Sequence, residues 1–197
     1  MKRDIAYVFE AVNDFYSILE VLHGDILELT KLSGDTPSDF LLRTHVRAFF
    51  ALVEGTSYGL RQITFAYYPF NPCLTMAELH LLTESSYELT DGGEAKERKR
   101  YLDTLQGIKF TFKMIGKVFT AQSGVEFIGL GWTSFQQAMR IRNAITHPKS
   151  TTALKLYDPK AVFDNKFQQI LSAADWYHEK LNWAMSVINS ALQSPTE

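Results

Sequence analysis

The residues best equipped for chemistry lie in "RIRNAITHPKS", residues 140–150, where Arg142 and His147 stand five positions apart and Pro148 closes the run. A guanidinium keeps its charge at any ordinary pH, and its planar fork donates two parallel hydrogen bonds to the oxygens of a phosphate or carboxylate. An imidazole as a side-chain type titrates near neutrality, so it can take up or release a proton during a reaction. Chemistry at a phosphodiester needs both functions. One group removes the proton, and another stabilises the charge gathering on the phosphorane.

Those roles depend on where the helices put the side chains. On a wheel for residues 135–146, Phe135, Ala138, Met139 and Ile145 gather on one side with Arg142 among them, while Gln136, Arg140 and Asn143 form a polar arc. An arginine in an apolar stripe needs a carboxylate, a phosphate or a path to water. The run "AFFALVEGTSYGLRQ" offers the carboxylate. On its wheel Arg43, Arg47, Glu54, Tyr58 and Arg61 share an arc of about 60°, opposite Phe49, Val53, Leu60 and Ile63. Glu54 is therefore the candidate partner of Arg142. The plain alternative is an ion pair that merely fixes helix register.

His147 falls about 140° past Arg142 on an ideal helix, off its stripe. Pro148 forces the chain out of helix there, so the imidazole can turn in a direction the wheel does not fix. Asn143, four residues earlier, is placed to orient it. Equally, a histidine at a helix C-terminus is favourable with the macrodipole and needs no further role. Arg140, Lys149 and Arg47 are candidate contacts for flanking phosphates, or else solvated surface cations. The remaining histidines, 23, 45, 80 and 178, show no metal-ligand spacing.

Period-3.6 patterns dominate the chain, which predicts an all-α fold, one domain spanning 1–197 built as a single bundle of about five or six helices. The first helix is expected over about 4–32, and a second from a Thr36 cap with Pro37 to about Tyr68. "TMAE" at 75–78 reads as a capping box opening a shorter helix. "ELTDGGEAKERKR" reads as a loop leading to a helix near 97–119, and no alternating strand run with a hairpin turn is evident. Gly124, Gly129 and Gly131 predict a loop before a helix capped by Thr133 or Ser134, and Asp158 with Pro159 predicts the start of a last helix reaching about Leu192.

Bulk properties narrow the function classes. The chain has 197 residues, 46% hydrophobic and 21% charged, so it can bury a substantial core. Cys73 is the only cysteine, which excludes an internal disulfide and a cysteine-based zinc cluster and fits a reducing, cytoplasmic setting. No secretory leader pattern or membrane-length apolar run is present, so a soluble protein with no membrane partner is expected. A net charge of −2 argues against a broad basic surface coating long nucleic acid. Any nucleic-acid contact must be local.

The segment "RNAITHP", Arg142 to Pro148, closing a helix of an all-α bundle, resembles the signature of the HEPN superfamily: arginine, a polar residue, three variable positions, then histidine. The helix holding "AFFALVEGTSYGLRQ" is similar to the long helix that packs against that signature and often carries an acidic or polar residue. The likeness covers about half the chain. It implies a metal-independent ribonuclease, without cofactor, acting as a homodimer whose signature helices meet across a two-fold axis. Arg142 and His147 would then be the catalytic pair, Asn143 the polar position, and Glu54 a looser match to the second-helix acid. The family also includes inactive and nucleotide-binding forms, so a non-catalytic helical scaffold is the alternative. Toxin–antitoxin and phage-defence settings are common in it, which would imply a cognate inhibitory protein.

Overall fold

The computed structural model describes residues 4–32, 38–120, 124–156 and 166–193. Six α-helices carry most of them: α1 Ile5–Leu32, α2 Asp39–Tyr67, α3 Met76–Leu82, α4 Thr104–Ile115, α5 Gly129–Thr146 and α6 Lys166–Gln193. The mostly helical expectation holds, with one addition. Strands β1 (Ser85–Leu89) and β2 (Ala95–Lys99) pair antiparallel, with Tyr87 opposite Glu97. Among the described residues no helix is long and apolar enough to cross a membrane.

The hairpin corrects the sequence reading of 88–100 as a loop. Neither strand has a buried residue, so neither shows the in-out alternation that reveals a strand. What holds it is local. Thr90 N–H donates to Glu94 O at 2.9 Å, Gly93 N–H returns to Thr90 O at 2.8 Å, and Gly93 supplies φ +79° for the turn. Helix α4 accordingly begins at Thr104, capped by the Asp103 carboxylate on the amides of Leu105 and Gln106, and not near 97.

Two compact units emerge, one from residues 1–17, 56–125 and 184–197, the other from 18–55 and 126–183. In the first, Phe15, Leu60, Ile63, Leu82, Phe112 and Ile115 are fully buried, each contributing roughly 1.5–3 kcal/mol by leaving water. Gly59 lies against the Phe15 ring, where a Cβ would come within 2.9 Å. Thr75 caps α3 in the expected box with Glu78. Glu78 also takes Lys117 Nζ at 2.9 and 2.8 Å on its two carboxylate oxygens. Arg61, one of the polar-seam residues, is buried here and bonded to Glu84 at 2.5 Å and Thr111 at 3.2 Å, so it lines no open cleft.

In the second unit, an aromatic cluster of Phe49, Phe50, Trp132, Phe135, Trp176 and Tyr177 forms the core. Helix α5 starts four residues earlier than its expected Thr133 cap, at Gly129, with no side-chain cap. The reason is packing: at Gly131 a Cβ would meet Trp176 Cδ1 at 2.5 Å, so that glycine admits an indole and does not break the helix. For α2, Ser38 supplies the cap seen, its hydroxyl accepting from Leu41 N–H at 3.2 Å. The expected Thr36–Pro37 start and the Asp158–Pro159 start both lie outside the described residues.

Candidate functional site

Helix α5 is held against α2 and α6 through Phe135, whose ring lies 6.2 Å from Phe49, 5.8 Å from Phe50 and 5.9 Å from Tyr177. The buried Tyr177 hydroxyl donates to the Val53 carbonyl at 3.1 Å, fixing α2 one residue before Glu54. Arg142 follows Phe135 by two turns on the same stripe and arrives at Glu54. Its Nη2 donates to Glu54 Oε1 at 3.1 Å, and its Nη1 donates to Asn143 Oδ1 at 3.2 Å. The Arg142 side chain keeps 29% of its surface exposed and that of Glu54 44%, so the pair stands at the surface, within reach of a ligand.

Two acceptor oxygens thus sit on the two terminal nitrogens of one guanidinium. That is how two phosphate oxygens would engage the same fork. Asn143 differs from expectation here. Its side chain serves Arg142, while its backbone carbonyl accepts the His147 N–H at 2.9 Å. Because α5 ends at Thr146 and His147 is its C-cap (φ −125°, ψ 66°), the imidazole has left the helical path along which Asn143 would have met it. His147 is exposed, as are Lys149 and Arg140.

The chain beyond Pro148 is tied down by residues that sequence reasoning undervalued. Arg43 Nη1 donates to the Leu154 carbonyl at 2.8 Å, and the Leu156 amide donates to Asp39 Oδ1 at 2.8 Å, with the Leu156 side chain buried. Arg43 is therefore an anchor of the segment after His147. Asp39 carries no such signal in the sequence, since an acid in the first turn of a helix is already accounted for by the macrodipole. Arg47 is exposed and lines a shallow groove of about 500 Å³ with Asp25, Glu28, Thr44 and Ala48, so acids of α1 and not Arg142 are its neighbours there.

Among the described residues no three His, Cys, Asp or Glu side chains converge in a metal-ligand arrangement. Compared with protein-family models, with curated proteins and with solved structures, the chain finds no match in any of the three.

Proposed function

We propose that the chain is a HEPN-like, metal-independent endoribonuclease that works as a homodimer in the cytoplasm. The observation that carries this reading is the partly exposed Arg142 fork, already dressed with two acceptor oxygens, on the same helix end as the exposed His147. Arg142 binds the non-bridging oxygens of the scissile phosphate and stabilises the phosphorane. His147 takes the proton from the 2′-hydroxyl. The 2′-oxygen bonds to phosphorus, the bond to the 5′-oxygen breaks, and His147 of the second copy protonates that leaving oxygen. The products are a 2′,3′-cyclic phosphate and a 5′-hydroxyl. One chain supplies one such histidine, so a two-fold pair gives the reaction both its base and its acid. Lys149 and Arg140, exposed beside the signature, hold flanking phosphates of a short or looped RNA.

One observation favours a second reading. Arg142 already has a carboxylate partner, which suits a non-catalytic helical scaffold or nucleotide-binding module in which the ion pair is structural. Incubation of total RNA with the protein and excess chelator separates the two. The nuclease reading expects degradation by the wild type and intact RNA with Arg142→Ala or His147→Ala; equal survival in all three samples defeats it.

A further inference from the structure

We infer that Glu54 makes the Arg142 fork select singly charged internal phosphodiesters over doubly charged terminal phosphates. This rests on the reading of Arg142 as the phosphate-binding group and adds the charge class of phosphate it accepts.

A phosphate reaching Arg142 takes the nitrogen that Glu54 now holds at 3.1 Å. The carboxylate yields that hydrogen bond but stays within its side chain's reach of Arg142, because the backbone at Val53 is pinned by the Tyr177 hydroxyl in the core. A bound phosphate therefore meets the positive guanidinium and the negative carboxylate together. An internal diester carries one negative charge, whereas a terminal monoester carries close to two near neutral pH. Beside an arginine alone, the second charge would tighten binding by roughly five- to tenfold at about 5 Å in a half-exposed setting. Next to an Arg142–Glu54 pair, repulsion from Glu54 offsets that gain. The dianion's costlier dehydration then decides in favour of the diester. The hydrogen-bonding fork is indifferent, since both esters offer at least the two non-bridging oxygens it can take. Glu54 is thus a specificity residue, and the site favours chain interiors over chain ends and over 5′-phosphorylated fragments.

The test uses the full chain at low ionic strength and pH 8, with dimethyl phosphate and methyl phosphate as probes. Binding is followed by the NMR signal of the Arg142 Nε–H group. The wild type is expected to bind dimethyl phosphate at least as tightly as methyl phosphate. Glu54→Gln should tighten dimethyl phosphate roughly five- to tenfold and methyl phosphate by about the square of that factor, inverting the order. Glu54→Asp keeps the charge and should keep the wild-type order, which guards against a folding artefact in the glutamine variant. Wild type and Glu54→Gln sharing one preference, or neither anion perturbing Arg142, overturns the inference. RNA cleavage is measured on the same samples. Discrimination without cleavage defeats the nuclease reading and leaves this one standing, and cleavage without discrimination does the reverse.

Discussion

Arg142 on α5 meets Glu54 on α2 at 3.1 Å, in the open, while apolar residues of the same two helices lie buried beside them. An ion pair at the surface, with 29% of the Arg142 and 44% of the Glu54 side chain exposed, contributes little to folding, between about 0 and 1 kcal/mol. Arg142→Ala should therefore lower stability by less than about 1 kcal/mol, and on the nuclease reading proposed above it abolishes RNA cleavage. Chemical denaturation beside the cleavage assay checks both halves. A variant that unfolds would mark the pair as structural, contrary to this prediction.

The segment after His147 offers a different handle. Arg43 and Asp39 bond the backbone at Leu154 and Leu156, and each contact is expected to contribute about 0.5–1.5 kcal/mol, more if a buried group is left unsatisfied. Asp39→Ala should raise hydrogen exchange at the Leu156 amide well before global unfolding. On the nuclease reading proposed above it should also slow RNA cleavage with Arg142 intact, because the chain on the C-terminal side of His147 is then less firmly held. Unchanged exchange at Leu156 would show that the Asp39 contact does not restrain this segment.

Helices were legible where one face was apolar and long, as in α1 and α2, and at Thr75, where a capping box names its own start. The partner of Arg142 was legible for the same reason: a charge in an apolar stripe demands its opposite, and Glu54 was the acid on a facing seam. The hairpin was not, since both its faces are solvated and its pairing is backbone hydrogen bonding. Gly131 misled because a glycine that admits Trp176 reads the same as one that breaks a helix. Arg43, Arg47 and Arg61 looked alike on the wheel, and only tertiary structure distinguishes an anchor, a groove cation and a buried ion pair.

Acid should destabilise the protein through two named groups. Burial lowers the His45 imidazole, partly countered by a backbone hydrogen bond with Leu29, so the folded state favours the neutral ring. The unfolded chain then binds that proton more readily, and stability falls as pH drops through the ordinary histidine value. Burial pushes the Glu78 carboxyl up, but hydrogen bonds from Lys117 and Thr75 outweigh it and hold the group net below the ordinary carboxylate value. Its stabilising effect is complete above the unfolded value and is lost as pH falls through the lower folded one. Denaturation midpoints measured against pH should lose the upper part of this slope in His45→Phe and the lower part in Glu78→Gln. Parallel curves for all three proteins would contradict the assignment.

Glu84 combines a buried ion pair with an unusual backbone. Its carboxylate meets Arg61 at 2.5 Å, the side chains being 14% and 6% exposed, and its φ is +55°, a left-handed conformation that costs a residue with a Cβ roughly 1–2 kcal/mol. The Glu84 carbonyl also accepts the Arg100 amide at 2.7 Å, where the hairpin closes on the chain before it. Removing the carboxylate strands a buried guanidinium, so Glu84→Ala should cost about 3–5 kcal/mol. Glu84→Gly loses the same carboxylate but relieves the backbone, and should be the more stable of the two by about 1 kcal/mol, the reverse of the usual preference for alanine. Arg61→Met in the Glu84→Ala background should recover much of the loss, because the stranded charge goes with it. Urea denaturation of the four proteins measures these differences, and an alanine variant more stable than the glycine one would mean that Glu84 does not hold the left-handed conformation in solution.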